Sequence, residues 1–475
     1  MNYDIYNTHQ EIYPYRKDDY PVIENMYIAI DHHTQKEYPC AYMIQDGKLY
    51  LPRGNHISKT ENIINVKANY INESDPFEKM SRKFNAEYDP RNKLQEESIN
   101  FLINEKGSQL GLNLGTGDGK TFCVAYASTT LQEKAIIITP NETLKGQWIE
   151  TYHKMFDYKV KNLINIAGSN IIQAILNDEV ELADIYFVNH QTLRSFMTNT
   201  NGYNLHRFFN KIKVGIKVYD ESHMEFGNIL LIDFFTNTNR TWYLTATFDR
   251  SDKTESVCFK KAFNSVITFG EMESAAIRKK HVIYHIVNIN SRATFKEKMK
   301  INKYGRMTSA SYGNYAFNLD KNQTAYNAIL NIINKVKHLE GKILIFVPII
   351  EAADKVVEQL KKDCSEKSIG AFHSKVCKSE KEDAIKKDII VSTIKSCGTG
   401  KHIPALRVLV CSEPAASKVL ASQVLGRLRP YSKDDDTYYF DIIDVCIPAC
   451  IWWWKSRFKA IQNLVKKVIH LNIDN

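Results

Sequence analysis

Short apolar runs recur along most of the chain, and the stretches between them place apolar residues at helical spacing. A first block of such runs includes "AIIITP", "IYFVNH", "IKVYDESH" and "TWYLTAT"; a second includes "KILIFVP", "DIIVST", "VLVCSEP" and "YYFDIID". Runs this apolar predict strands buried on both faces, and their alternation with helices predicts parallel sheets covered on both sides. Residues 1 to about 85 follow another pattern: "NMYIAID", "YPCAYMI" and "KLYLPRG" read as short strands divided by polar turns, a small separate α+β module. The expected organisation is an N-terminal accessory module over 1–85, parallel-sheet domains over 86–275 and 311–460, a linker at 276–310 and a C-terminal helix or tail at 461–475. There is no tandem repeat and no low-complexity tract.

Length and composition agree with this. At 475 residues, with 44% hydrophobic and 25% charged residues, the chain has the make-up of a soluble protein of two or three domains. Nothing near the N-terminus reads as a signal peptide, and no apolar run approaches the roughly 18 residues of a membrane span, so a cytoplasmic protein without membrane association is expected. The nine cysteines are scattered; Cys446 and Cys450, the one close pair, lack the partners of a zinc site and are read as reduced thiols.

Charge is uneven. Of the net +9, the segment Arg278–Arg306 carries +8, from nine Lys/Arg against Glu297, and leaves +1 for the rest. Such a run suits a polyanionic backbone, with Tyr284, Phe295 and Tyr304 interleaved as stacking groups; a solvated linker with a basic face is the plainer reading.

Two stretches carry candidate chemistry. In "LNLGTGDGKTFCVAY", Gly115, Gly117 and Gly119 stand between a predicted strand and a predicted helix, where backbone N–H groups and the helix N-terminus form an anion nest. Lys120 would then reach the β- and γ-phosphates of a nucleotide, and the Thr121 hydroxyl would ligate Mg²⁺. Leu114 stands where the full motif has glycine, so an ordinary tight turn also fits this stretch alone. In "KVYDESH", Asp220 and Glu221 fall at the tip of a strand, at the sheet edge where a nucleotide would lie. Asp220 could hold Mg²⁺ through water, and Glu221 could deprotonate an attacking water. Alone the pair is better read as a helix N-cap or as surface carboxylates after a strand; about 100 residues after a glycine loop on the same sheet, it reads as catalytic.

The ordered set "GTGDGKT", "DESH", "LTATFDR" and "QVLGRLR" resembles motifs I, II, III and VI of the superfamily 2 DExH-type helicases and translocases, over about residues 86 to 445. "YDPRNKLQEES", "ITPNETLKGQW", "FVNHQTL", "ILIFVP" and "IIVSTIKSCGTGKHIP" resemble the intermediate motifs. Gln147–Trp148 and "RTWYLTATFDRSDKTE" are most similar to the phage UvsW-like DNA helicases, whose relatives include XPB and the poxvirus transcript-release helicase.

The resemblance implies two RecA-like domains in tandem and an ATP hydrolase coupled to nucleic-acid unwinding, with ATP and Mg²⁺ as cofactors. It implies that Gln95 contacts adenine and that Gly115, Thr116, Gly117, Asp118, Gly119, Lys120, Thr121 and Gly400 surround the nucleotide. His223, Thr245 and Thr247 would couple hydrolysis to nucleic acid. Gln423, Arg427 and Arg429 would act on the γ-phosphate, and Pro140, Asn141, Asn189, His190, Lys395 and Thr399 would contact the strand backbone. Two departures stand out: Arg429 lies two residues after Arg427, with Pro430 at the usual arginine position, and His402 replaces the acid of motif V.

The implied work is unwinding or remodelling of branched DNA (forks, Holliday junctions, R-loops) in phage or viral replication, recombination or repair, by a monomer in the host cytoplasm. An RNA-directed or transcript-release helicase, acting on RNA or an RNA–DNA hybrid, would have the same motor. A restriction-complex translocase would share the motifs, but no nuclease motif accompanies them. A binding module with impaired hydrolysis is the alternative of another class. The run Trp452–Trp454 is read as packing the last helix, with base stacking as its functional alternative.

Overall fold

The computed structural model describes residues 1–16, 18, 20–31, 36–39, 42–54, 57–71, 77–81, 88–115, 118–156, 159, 162–198, 202–223, 226–245, 260, 262–269, 281–302, 307–397, 403–414, 421, 424–428 and 435–472. They fall into two compact units, Met1–Ser274 and Ala275–Asn475.

The first unit begins with β1 (Asn2–Ile5), β2 (His9–Tyr13), β3 (Ile28–Asp31), β4 (Lys36–Pro39), β5 (Met43–Gln45), β6 (Lys48–Pro52) and β7 (Asn69–Tyr70). Five of these form a mixed sheet in the order β5-β6-β2-β1-β7, and β3 pairs with β4. The expectation of a separate module is corrected here. Its core, built on Tyr3, Ile5, Ile12, Tyr27, Leu49 and Leu51, also takes in Leu230 and Phe234 of the helix Phe226–Phe234, which follows the Asp220–Glu221 pair. Tyr50 lies 6.0 Å from Phe234 and 5.6 Å from Phe235 between ring centroids, and Asn7 N donates to Asn237 Oδ1 at 3.1 Å. A sheet of this size has too little apolar surface to bury alone, and it uses the larger fold to cover itself.

The rest of the first unit is a sheet of β8 (Gln109–Asn113), β9 (Ala135–Thr139), β10 (Leu163–Ile166), β11 (Ile185–Asn189), β12 (Ile216–Tyr219), β13 (Arg240–Thr245) and β14 (Ile267–Phe269), parallel throughout in the order β10-β11-β9-β12-β13-β8-β14. Alternate residues feed two cores: Ile137, Phe187, Val218 and Trp242 on one face, Ile138, Val188, Tyr219 and Tyr243 on the other. Both faces are dry, which is why the strands read as unbroken apolar runs.

One polar cluster interrupts the second of these cores. Lys217 of β12, with a side chain 0% exposed, pairs with Asp233 at 2.6 Å, and Tyr219 and Tyr243 each donate to the same carboxylate at 2.7 Å. Burial pulls the Lys217 amine below its ordinary pKa, and Asp233 opposes that shift.

The second unit holds β15 (Val282–Ile289), β16 (Lys342–Phe346), β17 (Ile369–Phe372), β18 (Ile389–Ser392), β19 (Leu406–Cys411), β20 (Thr437–Asp444) and β21 (Lys467–Asn472), again all parallel, in the order β17-β18-β16-β19-β20-β15-β21. Two boundaries are corrected. Residues 282–289, expected within a basic linker, form β15, which pairs with β20 over all eight positions and with β21 beyond it. The charge count hid this, because the basic residues flank an apolar run that carries no acid or base except His285. The expected C-terminal helix or tail is instead a 3₁₀ turn followed by the edge strand β21.

The helix Pro448–Ile461 is fixed by Arg457, whose guanidinium donates to both oxygens of Asp441 at 2.6 and 3.2 Å, while Tyr284 donates to Asp441 as well. Trp453 and Trp454 pack on the core and Trp452 is 70% exposed. Among the described residues no helix is long and apolar enough to cross a membrane.

Candidate active site of the first unit

Except for Gln95, which sits on the helix Lys93–Asn104, the described candidate groups of the first unit follow the carboxyl ends of its parallel strands, and parallel pairing puts those ends on one edge. β8 runs into the glycine loop, β12 into Asp220–Glu221, β13 ends at Thr245, β9 leads to Pro140 and Asn141, and β11 ends at Asn189. Thr245 is the register partner of Asn113 on β8, so the loop and Thr245 start level.

The loop feeds the helix Lys120–Leu131, which is buried along most of its length through Phe122, Cys123, Val124, Ala125, Ala127 and Ser128. Gly119 caps it with φ +91, and a Cβ there would fall 2.2 Å from Gln95 Nε2. Only glycine meets both conditions. Lys120, 9% exposed, folds back to donate to the Leu114 carbonyl at 2.9 Å. Gln95, expected at adenine, is 2% exposed; it donates to the Asp118 carbonyl at 2.9 Å and accepts from Arg91 N at 3.0 Å. In this structure it ties the loop to the helix Lys93–Asn104. Thr116 and Gly117 lie outside the described residues.

Asp220 is 5% exposed. Trp148 Nε1 donates to its Oδ2 at 2.8 Å and Glu221 N to its Oδ1 at 3.0 Å. Burial, with the neighbouring Glu221 charge, pushes its carboxyl up to about 6; the Trp148 hydrogen bond and Lys120 pull the other way. Trp148, in sequence only a mark of resemblance to one branch, is thus the partner of a candidate metal-binding carboxylate. Its signal was available, because a buried indole N–H needs an acceptor. Glu221 holds φ +47, a left-handed backbone that a non-glycine residue adopts at a cost. Its Oε2 stands 3.3 Å from His223 Nδ1, which also meets Thr245 Oγ1 at 2.9 Å. A chain of contacts therefore runs from Glu221 through His223 to the end of β13. Thr247 lies outside the described residues.

A polar ligand fits this edge. Asn113 Oδ1 and Ser222 Oγ are buried without a hydrogen-bond partner, and an orphaned polar group is expensive unless something completes it. The donors suit a nucleotide with its metal: a lysine and glycine N–H groups for phosphate, a hydroxyl and a buried carboxylate for Mg²⁺.

The expected strand contacts divide. Asn141 caps the helix Glu142–Met155 by accepting from Leu144 N at 3.0 Å, and Asn189 accepts from Thr139 Oγ1 at 2.9 Å while donating to Glu142. Their side-chain oxygens already serve the fold, and Pro140 is half-buried beside them. For His190 the expectation is corrected: it is 1% exposed and stacks on Tyr219 at 5.6 Å, so its ring presents no surface to a strand. Burial pushes its imidazole down to about 3.

In the second unit, Lys395 is exposed on the helix Ile394–Cys397 after β18. The N-terminus of that helix is held by Glu413, whose Oε2 accepts from Ile394 N at 2.9 Å. Arg427 is half-buried; Thr399, Gly400, His402, Gln423 and Arg429 lie outside the described residues.

Comparison with known proteins agrees with this geometry. Residues 87–250 match the family described as type III restriction enzyme, res subunit. The transcript termination protein A18 of Yaba monkey tumor virus is 24% identical over 337 residues, which is 68% of this chain and 64% of that protein; the match thus spans under two thirds of the relative's length. Among solved structures, S. cerevisiae Dbp5 bound to RNA and ADP BeF3 superposes with a TM-score of 0.54 at 14% identity, over 80% of this chain and 89% of Dbp5. A putative HsdR subunit of a type I restriction enzyme from Vibrio vulnificus gives 0.54 at 14% identity, over 96% and 82%. Two RecA-like units, a glycine loop on the same sheet edge as an Asp-Glu-Ser-His strand end and the family match over 87–250 thus make this chain similar to the superfamily 2 DExH-type helicases in fold and, over its first unit, in sequence.

Proposed function

We propose that the protein is an ATP-dependent motor on nucleic acid. The observation that supports this best is the convergence of Lys120, Asp220 and Glu221 on one sheet edge beside buried, unpartnered polar atoms. Lys120 exchanges its bond to the Leu114 carbonyl for the phosphate oxygens. Glu221 accepts the proton of the attacking water, and its contact with His223 passes the change to Thr245. Magnesium bound with the nucleotide would neutralise phosphate charge, held by Thr121 and by Asp220 in its ionised form. Gln423, Arg427 and Arg429 are proposed as the second unit's contribution to transition-state stabilisation, and Lys395 and Thr399 as its strand contacts.

For the track, similarity to a protein named for transcript termination supports a transcript-directed role on RNA or an RNA–DNA hybrid. The second reading, remodelling of branched DNA, rests on Gln147–Trp148 and the stretch from Arg240 to Glu255 that resemble UvsW-like helicases.

The test is steady-state ATP hydrolysis by the wild type and Lys120→Ala, without nucleic acid and with single-stranded DNA, forked DNA and RNA. Stimulation in the wild type alone supports the motor, and the strongest activator names the track. A wild type that binds nucleic acid without hydrolysing ATP would return the protein to the class of binding modules.

A further inference from the structure

The described part of the basic segment belongs to the second unit, yet some of it remains bare. Of its three aromatic residues Tyr284 is buried and Tyr304 lies outside the described residues, but Phe295 is 79% exposed. Phe295 opens the helix Phe295–Ile301. Ile301 faces the core at 2% exposure, and the opposite face, made of Phe295, Lys296, Met299 and Lys300, is in water; Met299 is 62% exposed. Residues one turn apart are neighbours, so a Phe–Met stripe runs beside a Lys–Lys stripe. An isolated surface helix ordinarily turns polar groups outward, and this one turns out its largest apolar side chains.

The helix is fixed in place. Asp444 Oδ1, at the end of β20, accepts from Ser291 N at 3.3 Å and Cys446 N at 3.1 Å. Thr294 and Glu297 form a capping box, and Ser311 Oγ donates to the Ile301 carbonyl at 2.7 Å. It follows the carboxyl end of β15, on the sheet edge where Lys395 follows β18. Four strand spacings separate β15 from β18, roughly 19 Å. That is about five to six nucleotides at the ~3.4 Å rise of a stacked strand.

We propose that this face is a single-stranded nucleic-acid contact outside the helicase motifs: Phe295 stacks on a base, Met299 covers its edge, and Lys296 and Lys300 neutralise the flanking phosphates. The choice of occupant follows from the chemistry, because a flat apolar group bordered by two cations matches a base between two phosphates. The proposal rests on the nucleic-acid motor reading and extends it.

The experiment is fluorescence anisotropy against salt, with oligothymidylate and oligouridylate of about 30 nucleotides, beyond the ~4–16 of one typical site. The proteins are the wild type, Phe295→Ala, Phe295→Trp and Lys296→Ala/Lys300→Ala, each also assayed for ATP hydrolysis without nucleic acid. Phe295→Ala should weaken binding about tenfold at every salt concentration, and Phe295→Trp should restore it. The double lysine variant should flatten the slope of log K against log salt by about 1.4. Hydrolysis without nucleic acid should stay at the wild-type level. The oligomer with the larger loss identifies DNA or RNA as the strand bound here. If the wild type binds but both variants match its affinity and slope, the proposal is overturned, the motor stands, and the face is one for a protein partner. If the wild type neither binds nor is stimulated by either oligomer, the motor reading falls with it.

Discussion

Trp148 and Asp220, 72 residues apart in sequence, are joined by a 2.8 Å hydrogen bond from the indole Nε1 to Oδ2. The indole favours the charged form of a carboxyl that burial holds at about 6. Trp148→Phe removes that donor, so the pKa should rise by about one unit and the acid limb of the kcat/KM profile for ATP should move up with it. The sign for stability is opposite to that of a salt-bridged aspartate. A folded pKa of about 6 against about 3.9 unfolded means a stabilising contribution complete below about pH 4 and lost as pH rises through about 6, up to about 3 kcal/mol. Melting curves between pH 4.5 and 7.5 should show Asp220→Asn gaining on the wild type as pH rises; a constant difference would mean that Asp220 is not perturbed.

Gly119 and Gln95 form a second testable pair. Gly119→Ala meets two separate obstacles, the +91° backbone and the Gln95 amide 2.2 Å from the new Cβ. Nucleotide affinity should collapse and stability fall by about 1–3 kcal/mol. Adding Gln95→Ala removes the clash but not the backbone strain, so recovery should be partial. A calorimetric titration of ATP with the two single variants and the double variant separates these terms.

The contact between His223 Nδ1 and Thr245 Oγ1 predicts a kinetic separation. Thr245→Val keeps the shape and deletes the hydroxyl. Basal hydrolysis and KM for ATP should change little, while stimulation by nucleic acid drops about tenfold or more. Equal loss of basal and stimulated rates would show that Thr245 supports the site itself rather than its coupling.

Lys217 and Asp233 are a buried ion pair, and truncating one member leaves the other charged in a dry core. Lys217→Met should cost about 3–5 kcal/mol in a urea melt followed by tryptophan fluorescence. The double variant Lys217→Met/Asp233→Leu should recover part of that loss and not all of it, because Tyr219 and Tyr243 lose their common acceptor.

Much of this was legible in the sequence for a physical reason. Strands covered on both faces must be apolar throughout, so "AIIIT" and "KILIF" announce themselves, and the glycines and acids at their ends stand out against them. Where charge and burial disagree over a short distance, the signal fails: β15 was lost inside a run of cations, and β21 carries the polar residues of an edge. The surroundings of His190 and Gln95 were hidden for another reason. A polar residue at a strand end reads as surface, and nothing local reports that Tyr219 covers one ring or that Asp118 and Arg91 occupy the other amide. Such partners are brought in by the fold from other elements or the far side of a loop, and spacing along the chain carries no trace of them.

The shared core of the N-terminal sheet bears on how its role can be studied at all. A chain started after residue 85 would carry Leu230 and Phe234 into water on the helix that follows Asp220–Glu221, and would strip Phe235 of its Tyr50 neighbour. Deletion would then score as loss of activity whatever the module does, because the damage lands one helix away from Glu221. Genetic dissection of this region has to proceed by altering its outer surface, residue by residue, with the inner face left intact.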